Sequence, residues 1–214
     1  MELYKAGSLA TKFIAQLKPS NILILPGWQN SGLDHWQSHW EAAYGYERVE
    51  QHNWVHPLRG DWTARLEEVL LQRTEPVILV AHSLGCLLVA AWAAHSRMTH
   101  YVKAALLVAP ADAEREELRP MLASWSPISL QVLPFRSCVV ASGNDPYCAD
   151  ERARHFAKAW CSEFIDCGKK GHINPESGLG VWPEGHELLV GLDALGAQGT
   201  PCRVPAGLNT GLKV

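Results

Sequence analysis

Five consecutive apolar residues, Val77-Ile78-Leu79-Val80-Ala81, run into His82-Ser83-Leu84-Gly85 and then into an Ala- and Leu-rich stretch that continues to about residue 97. An apolar run without alternation suits a parallel strand covered on both faces, and the Ala/Leu-rich segment favours helix. One serine therefore stands where a buried strand hands over to a helix. The pattern Ala81-His82-Ser83-Leu84-Gly85 approximates G-x-S-x-G. In that motif the small residues on either side let strand and helix approach closely enough to hold the serine strained and exposed. Here alanine replaces the first glycine, a departure of one methyl group. Taken alone, the pattern equally describes a serine capping a helix, so a nucleophile needs the rest of a triad.

The remaining chain reads as strands alternating with helices. Apolar or alternating runs at 21–25, 47–51, 101–109, 137–142 and 163–166 join 77–81 as strands, with 47–51 placed at a sheet edge because it alternates. Helices are expected at 8–17, from Leu33 through Trp36 and Trp40, from a cap at Asp61 to Arg73, at 149–160 and at 184–195. The acidic segment 110–133 reads either as a solvated helix with a connecting loop or as a cover across the strand ends. His35 and His39 have the i, i+4 spacing of a metal pair but no Glu between them in an H-E-x-x-H pattern and no obvious third ligand, so structural histidines without metal are expected. Residues 1–195 form a single expected domain, and 196–214, rich in Gly, Pro and Thr, a loosely held tail.

Such alternation predicts a mostly parallel, doubly wound sheet of six strands flanked by helices, a three-layer sandwich that binds ligands outside the carboxyl ends of its strands. That rule tests Ser83 independently. A serine hydroxyl attacks near neutral pH only when an imidazole accepts its proton, and a carboxylate must hold that imidazole in the right tautomer. Both partners should follow later strands in the order acid, then histidine. Asp145 follows the strand ending at Ser142, and His172 follows the strand ending near Asp166. Asp166 and His186 remain the competing acid and base. Two backbone N–H donors for an oxyanion are expected from Leu84, at the helix start, and from Trp28, in the loop after the first strand, where Gly27 lets the backbone turn in closely. Trp28, Trp125 and Tyr147 are expected to shape the acyl pocket.

Composition removes several alternatives. A net charge of −3 offers no basic footprint for nucleic acid or an anionic membrane. No apolar run approaches a bilayer span and no signal peptide opens the chain, so a soluble, cytoplasmic protein is expected. The 6 cysteines contain no C-x-x-C pair and are expected as reduced thiols.

The motifs L-P-G-W at 25–28, H-W at 35–36, W-x-H-P-x-R-G-D-W at 54–62, A-H-S-L-G at 81–85, S-G-N-D-P-Y at 142–147 and G-H-I-N at 171–174 stand in one order over residues 20–195. In them the chain resembles the small α/β-hydrolases related to retinoblastoma-binding protein 9. The resemblance implies a compact α/β-hydrolase with little or no lid domain, and by motif it makes Ser83 the nucleophile, Asp145 the acid and His172 the base. The resulting expectation is a serine hydrolase of small carboxylic esters working through an acyl-enzyme without metal or organic cofactor. A thioesterase, an amidase or a non-catalytic protein-binding module on the same fold is the alternative, and no residue identifies a protein partner.

Overall fold

The computed structural model of the chain describes residues 17–196. The expected helix at 8–17, apart from Leu17, and the expected tail, apart from Gly196, lie outside them. Six strands form one sheet: β1 (Ile22–Leu25), β2 (Glu47–Arg48), β3 (Val77–His82), β4 (Val102–Val108), β5 (Arg136–Ala141) and β6 (Glu163–Asp166). Their order is β2-β1-β3-β4-β5-β6 and every neighbouring pair is parallel. The chain starts at β1, steps outward to β2, then returns to the other side of β1 for β3 and everything after it. The crevice between the carboxyl ends of β1 and β3 is thus the topological switch point, where ligands of such sheets bind.

Strand alternation divides the core between two faces. Leu23, Leu25, Leu79, Ala81, Leu107 and Val139 point to one layer, with α2 (Arg59–Leu71), α3 (Leu84–Ala93) and α5 (Asp150–Trp160). Ile22, Ile24, Ile78, Val80, Leu106 and Val140 point to the other, with α1 (Trp36–Tyr44) and α6 (Pro183–Gly196). Both faces being covered explains why the central strands are apolar without interruption. The arrangement is the three-layer sandwich the sequence predicts, and no described helix is long and apolar enough to cross a membrane.

Local departures have identifiable causes. The edge strand β2 is only two residues long; Val49 still donates its N–H to Ile24 O at 2.9 Å before the chain turns away. Helix α1 begins at Trp36, not Leu33, because the His35 ring caps it: Nδ1 accepts the Gln37 N–H at 3.1 Å. Asp61 is not the cap of α2 but lies in its first turn, and the Arg59 N–H is satisfied by Ser124 Oγ at 3.1 Å.

The acidic segment is not a solvated helix. Only a short α4 (Arg119–Leu122) and one 3-10 turn (Ala123–Trp125) form. Glu114 accepts the Ile128 N–H and pairs with Arg152, while Leu118, Leu122 and Trp125 are buried. Among the described cysteines, Cys86, Cys138, Cys148 and Cys167 are free. Cys161, at the left-handed C-cap of α5 and outside the core, is disulfide-bonded, against the expectation of reduced thiols.

Candidate active site

The turn from β3 into α3 places Ser83 at φ 54° and ψ −119°, a conformation costly for a residue with a side chain, on the order of 1–3 kcal/mol. Two glycines permit it. A Cβ on Gly27 would lie 2.7 Å from Ser83 Cβ and 3.2 Å from its Oγ, and a Cβ on Gly85 would run into the Leu25 carbonyl with Pro26 O 2.9 Å away. The loop after β1 therefore presses against the corner, and only a bare Cα fits at either contact. Ala81 is different: its methyl points into the core layer under α3 and is fully buried there. The site does not need a glycine at that position.

Asp145, the expected acid, arises from the turn after β5. Asp145 Oδ1 accepts the Tyr147 N–H at 2.8 Å, which holds the carboxylate under the turn with its side chain 3% exposed. It faces the His172 ring, with Nδ1 2.9 Å and 2.8 Å from the two carboxylate oxygens, and His172 Nε2 lies 2.8 Å from Ser83 Oγ. Three strand ends deliver the three groups into one hydrogen-bonded line.

The loop carrying His172 is held by its backbone at four points. Lys170 N–H donates to Ser142 Oγ at 2.8 Å and Gly171 N–H to Asn144 Oδ1 at 2.8 Å. His82 Nε2 lies 2.9 Å from His172 O, and the Trp36 indole N–H donates to Ile173 O at 2.9 Å. Since a carbonyl only accepts, His82 carries its proton on Nε2. Left-handed turns at Gly168, Gly171 and Ile173 bend the loop between these anchors. Asp166, the competing acid, instead accepts the Gly168 N–H at 2.8 Å and faces Arg154. His186, the competing base, lies away from the strand ends with Nε2 2.7 Å from the Tyr46 hydroxyl and its ring stacked on Tyr44 at 4.1 Å.

Trp28 and Leu84 both line the cavity in front of Ser83. Leu84 is the first residue of α3, where backbone N–H groups lack intrahelical partners. Among the described residues neither its N–H nor that of Trp28 has a hydrogen-bond partner. Behind Trp28 the loop turns through two left-handed residues, Gln29 (φ 66°) and Asn30 (φ 68°). Arg48 secures this bend: Nη1 donates to Asn30 Oδ1 at 2.8 Å and Ser31 O at 2.9 Å, while Nε and Nη2 form a fork on Glu41 at 2.7 and 2.6 Å.

The cavity has a volume of about 290 Å³. Trp28 and Tyr147 line it, as the sequence led one to expect, but Trp125 does not. Trp125 packs edge-on against Trp62 beneath α2 and donates its indole N–H to Pro57 O at 3.0 Å. Two further histidines, His35 and His82, also line the cavity and are not singled out for it by the sequence. The His82 ring lies 4.9 Å from that of His172, and the His35 ring lies 4.6 Å from that of His82. Burial drives the pKa of both below the usual imidazole range, His35 to about 3, so both rings are neutral. Strand alternation is the available signal for His82, since it faces the layer of α1 and the His172 loop. His39 does not join His35 in a metal site; among the described residues no group of three His, Cys, Asp or Glu is placed to hold an ion.

Comparison with known proteins adds the following. A family model described as serine hydrolase matches residues 22–191. The crystal structure of a protein described as a YdeN-like hydrolase from Pectobacterium atrosepticum is 31% identical and superposes with a TM-score of 0.75, covering 88% of this chain and 97% of that one. The ydeN gene product of B. subtilis is 20% identical, with a TM-score of 0.68 over 82% of this chain and 99% of that one. Est1E from Butyrivibrio proteoclasticus, solved with ferulic acid bound, is 13% identical with a TM-score of 0.64 over 83% and 90% of the two chains. At those last two identities the likeness concerns the α/β-hydrolase fold alone. No curated protein matches the chain.

Proposed function

The chain belongs to the serine hydrolase family, and from that premise we propose that it cleaves small carboxylic esters through an acyl-enzyme formed on Ser83. The observation that carries this reading is the continuous line from Ser83 Oγ to His172 Nε2 and from His172 Nδ1 to the Asp145 carboxylate. Ser83 Oγ attacks the ester carbonyl carbon while its proton passes to His172 Nε2. The carbonyl electron pair moves onto the oxygen, which the Trp28 and Leu84 N–H groups stabilise. Collapse breaks the bond to the leaving alkoxide, which takes the proton from imidazolium. Water then repeats the sequence, releasing the carboxylic acid and returning the proton to Ser83. Asp145 keeps Nδ1 protonated and offsets the charge on the imidazolium. The motif resemblance to the hydrolases related to retinoblastoma-binding protein 9 belongs to the same reading.

Ser83→Ala should fold with an unchanged circular dichroism spectrum and lose p-nitrophenyl acetate turnover by about 10⁴-fold or more, together with all labelling by a fluorophosphonate probe. Turnover or labelling close to wild type in that variant would end the proposal.

A further inference from the structure

The cavity in front of Ser83 is built asymmetrically. On the side of α3 and α4 its wall is Leu84, Ala111, Leu118 and Leu122, all buried and, except for Ala111, continuous with the core layer of α2, α3 and α5. That side is a closed apolar end. Away from those leucines stand His172 itself and the exposed Pro175, and Tyr147, whose carbonyl accepts the Asp112 N–H at 3.0 Å beside Ala111, bridges the two sides with its ring edge-on to His172 at 4.6 Å and 42% exposed. The His172 side is a mouth.

Resting on the catalytic reading above, the geometry points to a deacylase that removes a short, uncharged acyl group from a large hydroxyl-bearing carrier. Chemistry orients the ester. His172 must return a proton to the leaving oxygen, so the alcohol sits on the His172 side and runs past Tyr147 into solvent. The acyl chain then points the other way, against Leu118 and Leu122, which stop it. A cavity of about 290 Å³ lies at the lower bound of ligand pockets, roughly 300–1,000 Å³, so the closed end holds only a few carbons. Acyl charge is excluded by the lining: no Asp, Glu, Lys or Arg contributes to it, and a carboxylate pushed against Leu118 and Leu122 would lose its water without gaining a partner. Leu118 and Leu122 are thereby specificity-determining residues for acyl length, and the alcohol is left nearly unselected.

The test uses two ester series on the whole protein, with fluorophosphonate labelling of Ser83 measured in each variant. For p-nitrophenyl esters, kcat/KM should fall about tenfold or more from butanoate to octanoate, and by a similar factor or more for the acyl group ending in carboxylate, mono-p-nitrophenyl succinate. Acetates of p-nitrophenol and of the bulkier 4-methylumbelliferone, phenols of similar acidity, should differ by no more than about threefold. Leu122→Ala should shrink the octanoate deficit about fivefold, and Leu118→Phe should extend the deficit to butanoate. Octanoate or succinate turned over as fast as butanoate, or a chain-length profile unmoved in both variants, would overturn the inference while labelled Ser83 leaves the catalytic reading standing. An unlabelled, inactive wild type would remove both.

Discussion

The buried His35 ring makes acid sensitivity a quantity to be measured. His35 is 3% exposed and its Nδ1 already accepts the Gln37 N–H, so its single proton sits on Nε2. A second proton would have to displace the helix cap. Burial is the main obstacle to that charge, followed by the fields of His172, Arg48 and His39, and together they bring the pKa from 6.5 to about 3. In the unfolded chain the same ring takes up its proton near 6.5. Between those two values the unfolded state binds the extra proton and the folded state does not, so stability is highest above 6.5 and declines as pH falls towards 3. At about 1.4 kcal/mol per pH unit, lowering the pH to about 5 removes roughly 2 kcal/mol through His35 alone. His82 adds a loss of the same sign, since burial also holds its pKa well below 6.5. Urea unfolding at about pH 7 and about pH 5 reads the total, and His35→Asn isolates one ring, because asparagine retains an oxygen that caps the helix. The variant's absolute stability changes with the lost ring contacts, but its pH-dependent loss should be about 2 kcal/mol smaller than that of the wild type. Equal losses in the two proteins would refute the reasoning.

The two small residues flanking Ser83 should separate cleanly. Gly85→Ala drives a methyl into the backbone at the end of β1, and should lower unfolding free energy by about 3 kcal/mol or prevent folding, as read by urea denaturation. Ala81→Gly, which restores the glycine of the motif, should keep ester turnover and cost about 1 kcal/mol for the lost methyl and the added chain entropy. Arg48→Met releases the bend behind Trp28, and steady-state kinetics should show kcat reduced about tenfold or more with KM little changed, the pattern of a donor misplaced in the transition state.

What the sequence made legible was whatever depends on neighbours along the chain. The apolar runs placed the strands, the small-x-Ser-x-Gly corner placed Ser83, and the rule that such sites gather at strand ends selected Asp145 and His172. The structure brings those three side chains within hydrogen-bonding distance. Other features depend on partners brought in by folding. The start of α2 was misread because its free N–H group is met by Ser124, 65 residues away, so no local cap marks it. Trp125 looked like a pocket residue because it lies in the covering segment, yet its indole is drawn beneath α2 by the Pro57 carbonyl and Trp62. His82 is read from the sequence only as part of the serine motif, and its contact to the His172 carbonyl spans 90 residues. Arg48 sits in a two-residue edge strand whose pattern says nothing of the loop it braces.

The four anchors of the His172 loop also bear on when the enzyme becomes competent during folding. The bond from Trp36 to Ile173 O joins residues 137 apart, and the others reach to β3 and to the turn after β5. Contacts of such separation form only after the intervening chain has given up its freedom. On the proposed mechanism, a chain in which β3 and β4 have paired but the loop has not docked owns a nucleophile and no base. Recovery of ester turnover after dilution from denaturant should therefore time the docking of residues 168–174, which the buried Trp36 holds through the Ile173 carbonyl.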